Sequence, residues 1–125
     1  MSRRRWPGRD RGSFTAELAA GLPALMVLLL AGLTAVSAVT TKAQCVDAAR
    51  DGALAASRGE PGAPAAARVA PDGARVDVRM TGDAVTVTVH APVRVLGGGL
   101  PRWSVRAVAI AAREPDLTGA SGAAP

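Results

Sequence analysis

Arg9-Asp10-Arg11-Gly12-Ser13-Phe14-Thr15-Ala16-Glu17 runs directly into Leu18, and no charged side chain follows until Lys42. As a helix, residues 18–41 reach roughly 36 Å, against about 30 Å of bilayer hydrocarbon. The stretch is long enough to span. A secretory signal places its cleavage site after the apolar run and discards that run. Here a short basic segment ending in Gly12 stands before it, so a cut between Gly12 and Ser13 would leave the apolar helix in the mature protein. Gly21, Pro23 and Gly32 interrupt the run, which a membrane helix with neighbours tolerates better than a buried soluble helix. Pro23 removes one backbone donor and predicts a bend near the helix start. It fits a harmless kink as well as a weak point that eases extraction from the bilayer.

The charge of +5 is unevenly placed. Residues 1–12 carry Arg3, Arg4, Arg5, Arg9 and Arg11 against Asp10, and the remaining chain is close to neutral. A nucleic-acid binder needs cations on its folded part, so no nucleic-acid partner is expected. A basic excess beside a first membrane helix favours the inside. The expected location is therefore the cytoplasmic membrane, single-pass, N-terminus inside and C-terminus outside.

Beyond the span the helix is expected to continue to about Ser57. Val46, Ala49, Ala53 and Ala56 form a thin apolar stripe at helical spacing, and alanine keeps such a segment helical with little burial. Gly59 supplies the stop, with Pro61 and Pro64 behind it. Residues 59–73 read as a Pro/Gly/Ala linker, with a helical turn or two near 65–69. The period then changes from helical to two. Val76, Val78 and Met80 alternate with Arg75, Asp77 and Arg79; Thr81-Gly82-Asp83 turns the chain; Val85, Val87 and Val89 alternate with Thr86, Thr88 and His90. Residues 93–96 predict a third strand running into Gly97-Gly98-Gly99, and residues 104–111 a fourth. The expected fold is α+β: a long transmembrane helix with an extracytoplasmic extension, then a small antiparallel sheet of three or four strands. The units are a leader (1–12), helix and stalk (13–58), linker (59–73), β-domain (74–113) and disordered tail (114–125).

No catalytic set emerges. His90 is the only histidine and falls on the polar register of its strand, leaving no base for a serine or cysteine nucleophile. The carboxylates show no paired pattern, and the triple glycine lacks the Lys-Ser/Thr ending of a phosphate loop. No enzyme activity, cofactor or metal site is expected. Cys45 is the sole cysteine, which excludes an intrachain disulfide. Lys42-Ala43-Gln44 before it is unlike a lipobox, so it reads as a small apolar side chain on a helix face.

Glu17 demands a reason, because a carboxylate drawn unpaired into hydrocarbon costs a few kcal/mol. One reading is an interfacial charge complementing the helix dipole. The other pairs it with the α-ammonium that cleavage after Gly12 would free on Ser13, preferably on a neighbouring subunit. Opposite charges attract far more strongly in an apolar bundle than in water.

The stretch from Asp10 to Ala19, with Leu22-Pro23-Ala24-Leu25 within the span, resembles the class III (prepilin-type) leader and start of the TadE-like family of the tight-adherence (Tad) type IV pilus system. Cys45-Val46-Asp47-Ala48-Ala49-Arg50-Asp51-Gly52-Ala53, Ala56-Ser57-Arg58-Gly59-Glu60, the valine hairpin and Val105-Arg106-Ala107-Val108-Ala109 with Glu114-Pro115 are similar as well. The resemblance implies a minor pilin or pseudopilin, cut by a prepilin peptidase at Gly12 and Ser13. Glu17 is then the fifth-position acid used in assembly. Its implied partners are that peptidase, other Tad pilins, pilus assembly membrane proteins and the lipid bilayer. The short chain favours initiation, priming or capping of the fibre over direct adhesion. The alternative is a secreted or membrane-anchored small β-protein with an ordinary export signal, Val36-Ser37-Ala38 being its small-residue cleavage site.

Overall fold

A computed structural model describes residues 9–95 and 103–115. Helix α1 (Arg9–Ser57) is unbroken over 49 residues, roughly 74 Å at 1.5 Å per residue. It is followed by α2 (Gly62–Val69) and strands β1 (Arg75–Thr81), β2 (Ala84–Pro92) and β3 (Ser104–Ala112). The arrangement is α+β, with one sheet of three antiparallel strands in the order β1-β2-β3. Helix α1 begins four residues before Ser13, so Gly12 and Ser13 lie inside its first turns.

Among the described residues, the apolar side chains of the lower part of α1 are left uncovered by the rest of the chain. Phe14, Leu18, Leu22, Leu25 and Leu28 are all more than half exposed. Hydroxyls in and just beyond this stretch are satisfied within the helix: Thr34, Thr40 and Thr41 donate to the carbonyls of Leu30, Val36 and Ser37. That is the arrangement a lipid environment requires of polar side chains. Among the described residues one helix, this one, is long and apolar enough to cross a membrane.

The upper part of α1 carries the head. Cys45, Ala48, Ala49, Ala53 and Ala56 are buried against β2, β3 and α2. The stripe expected to be thin is a full packing face, because alanine lets the valines of β2 approach the helix backbone. Val85, Val87 and Val89 point into this interface and are at most 1% exposed. Fully burying such side chains contributes about 1.5–3 kcal/mol each. Thr86 and Thr88, half-buried, and His90, exposed, take the opposite face, as the alternation predicts.

The end of α1 is closed by a Schellman motif. Gly59 has φ 81°, its N–H donates to the Ala56 carbonyl, and the Glu60 N–H donates to the Ala55 carbonyl. The β1–β2 turn has Gly82 at φ 58° and no positive φ at Asp83, with Thr81 paired to Ala84. These dihedral signs are those of a type II′ hairpin.

Two expectations need correction. Residues 59–73 are not a plain linker: α2 packs closely on α1, with Gly52 and Gly62 at the crossing. Pro61 caps α2 and Pro64 sits in its first turn, where no N–H is needed, so prolines that stop α1 also start α2. Residues 93–95 form no separate strand; β2 runs through Pro92, which pairs with Ser104. The Val93 N–H donates to the Trp103 carbonyl, which puts the donor that Pro92 lacks on the other side of β2, past the last β1 pair, Arg75 with His90. The strand expected at 104–111 is present as β3, and among the described residues the sheet has three strands, within the three or four expected. At the tail, Glu114 is held by its N–H donating to the Ser57 carbonyl. Leu96, Gly97-Gly98-Gly99, residues 1–8 of the leader and tail residues 116–125 lie outside the described residues.

Candidate functional site

Gly12 and Ser13 are both exposed, and a Cβ built on Gly12 would meet nothing within 4 Å. A helical peptide bond must unwind to enter a protease cleft. Glycine in a helix interior weakens it by roughly 0.5–1 kcal/mol, which favours local opening at this position.

One turn further, Glu17 lies on the helix surface and is exposed. With Phe14, Leu18, Gly21, Leu22 and Leu25 it lines a shallow, mainly apolar depression. Gly21 makes the hollow, since its ideal Cβ meets nothing within 4 Å. Side chains on a helix lean toward its N-terminus, so the Glu17 carboxylate points back toward the Ser13 turn. The chain therefore places Gly12, Ser13 and Glu17 within about two turns of one another along α1. Pro23 lies inside the same helix, past this depression. All four sequence-derived residues thus belong to one exposed end of α1, far from the head.

The head offers little chemistry. His90 is exposed at the sheet surface between Arg75 and Arg106. Among the described residues no three His, Cys, Asp or Glu side chains gather as a metal-holding group. The ion pairs Arg58–Glu60 (3.9 Å), Arg79–Asp77 (3.5 Å) and Arg94–Asp72 (3.8 Å) are solvent-exposed and contribute little.

Cys45 is fully buried in the core, and burial pushes its thiol above the ordinary range, with Lys42 opposing only in part. The raised value means the fold favours the protonated thiol. That contribution is present at pH below the ordinary thiol range and is lost as pH rises through the folded-state value. Maleimide labelling should therefore be slow in the folded chain at neutral pH and rapid after denaturation. Equal rates in the two states would show that Cys45 is accessible.

The sequence model described as TadE-like protein matches residues 12–54, from the glycine before Ser13 to the packed upper part of α1. A Mycobacterium tuberculosis protein named Apoptosis inhibitor Rv3655c is 35% identical over 106 residues, covering 83% of this chain and 82% of its own length. The chain belongs to the TadE-like family. It is thereby associated with the Tad pilus, and the matched residues of this TadE-like protein run from Gly12 through the apolar run to the packed upper part of α1. No solved structure matches it.

Proposed function

We propose that this TadE-like protein is a minor pilin or pseudopilin, without enzyme activity, that takes part in initiating, priming or capping a Tad pilus. Prepilin peptidase cuts it between Gly12 and Ser13. Residues 18–41 of α1 then anchor it in the cytoplasmic membrane with the head outside. From there α1 enters the helical bundle of a fibre or its base, beside other Tad pilins. The single observation that carries this reading is the exposed lower part of α1. A 49-residue helix leaves its apolar surface uncovered along the span and sets one carboxylate, Glu17, beside the cut. Apolar surface on that scale calls for lipid or neighbouring helices.

The ordinary-export alternative would cut after Ala38. There Ser37, Ala38 and Thr41 are half-buried in a continuous helix that packs against the head, which supports retention of the span. Mass spectrometry of the membrane fraction should find a chain beginning at Ser13. A mature N-terminus near Val39 would sink the pilin reading and promote the exported β-protein.

A further inference from the structure

The head is polarised along α1. Its lower end reaches down to the last turns of the apolar run, where Ser37 and Thr41 line a cavity with Pro71, Asp72, Pro92 and Arg94. Lys42, the first charge after the span, donates from Nζ to the Arg106 carbonyl, fixing the start of β3 at the same level. Arg75 shares its row of the sheet with Arg106 through His90. Four cations, Lys42, Arg75, Arg94 and Arg106, thus meet one acid, Asp72, at this end. The remaining described charges after residue 41 are five cations and six acids. The positive excess of the described head is all at the end nearest the span.

Trp103 belongs to the same end. Its carbonyl accepts from the Val93 N–H, next to Arg94, and its side chain is 67% exposed although it is one of only two tryptophans. A solvent-exposed indole is costly in water, but it is favoured at the headgroup level of a bilayer. The axial positions agree. A 24-residue apolar run exceeds about 30 Å of hydrocarbon by roughly four residues. That excess places Ala38 to Thr41, and the head end packed beside them, in the headgroup layer.

We propose that the span-proximal end of the head, with Trp103 and the cations Lys42, Arg75, Arg94 and Arg106, docks on anionic phospholipid headgroups. The leaflet is the one from which the C-terminal end of the span emerges. This fixes the tilt of α1 and holds the head on the membrane until the subunit is extracted. The inference rests on the reading of α1 as a membrane span. Each basic side chain near an anionic surface favours docking about five-fold.

The full chain carrying Trp6→Phe, so that Trp103 is the only indole, tests it after reconstitution into phosphatidylcholine vesicles with and without phosphatidylglycerol. Co-flotation with the vesicles is measured first. Nitroxide-labelled lipids then quench the indole from the headgroup or from mid-chain. The expected result is flotation, stronger quenching from the headgroup than from mid-chain, and an increase on adding phosphatidylglycerol. Arg75→Gln with Arg94→Gln, both at exposed sites that leave the fold intact, should lower the docked-to-undocked ratio about five-fold per arginine. A chain that fails to float overturns the span and this inference together. Flotation with an unquenched Trp103 overturns the docking alone. Quenching indifferent to phosphatidylglycerol and to both arginines overturns the anionic-surface assignment. Protection that disappears when the protein is diluted in lipid would mean that a second copy covers this end, which also overturns it.

Discussion

Gly52→Val is expected to destabilise the head strongly while leaving the span intact. A Cβ at position 52 would stand 2.9 Å from the Ala66 Cβ, 3.0 Å from the Gly62 carbonyl oxygen and 3.2 Å from a Val87 methyl. None of these atoms is the far end of a flexible side chain. The opposing glycine is equally tight, since a Cβ on Gly62 would come within 2.7 Å of the Gly52 carbonyl oxygen. Valine at 52 must therefore push α2 away from α1 and disturb Val87 in the centre of the core. Overpacking of this kind costs about 3 kcal/mol. A head of this size holds only about 4–10 kcal/mol in total. Circular dichroism of the full chain in detergent should show the sheet signal melting roughly 10 °C or more below the parent. Gly32→Ala is the control. Its Cβ meets nothing within 4 Å, so the head should melt as before. An unchanged melt for Gly52→Val would mean that α2 does not pack where it is placed.

The same crossing explains what the sequence discloses and what it conceals. The span announces itself through an absence of charge, a property of the chain alone. The hairpin is equally plain, because Val85, Val87 and Val89 alternate with polar residues and the period fixes the buried face. Gly59 marks the helix end by the left-handed conformation a Schellman motif requires. The α1–α2 contact has no such signature. Its residues are Gly52, Gly62, Ala56 and Ala66, whose burial depends on how near another backbone comes and not on their own hydrophobicity. Pro61 and Pro64 mislead for a related reason: the ring that ends one helix is compatible with the first turn of the next. At the candidate site, Gly12, Ser13 and Glu17 stand out in the sequence because they fall within six consecutive residues of one helix. The cationic lower end of the head does not. Arg75, Arg94 and Arg106 are distant in sequence, and only strand register and the packing of the sheet on α1 bring them to one level.

Glu17→Ala is expected to abolish entry into pili without affecting processing or membrane insertion. In the proposed function the peptidase acts on the bond joining Gly12 to Ser13 and insertion depends on residues 18–41, so neither step would require a carboxylate at 17. In the free chain Glu17 is exposed beside an apolar hollow, and among the described residues only those of α1 line that hollow. Its value can only lie in what approaches that hollow. The proposed cleavage would create an α-ammonium on Ser13, one turn below Glu17 on the same helix and available to a carboxylate on the next. When helices pack and exclude water, the ammonium needs a partner. Leaving one member of such a buried pair alone costs about 3–5 kcal/mol, more than a hundred-fold in an incorporation equilibrium. Sheared pili from the mutant should therefore lack the protein, while the membrane fraction holds a chain beginning at Ser13 in normal amount. Glu17→Gln should fail similarly, since it keeps the shape and removes the charge. Incorporation of either variant at the parental level would reduce Glu17 to a helix-end charge and require a different account of how this subunit joins its neighbours.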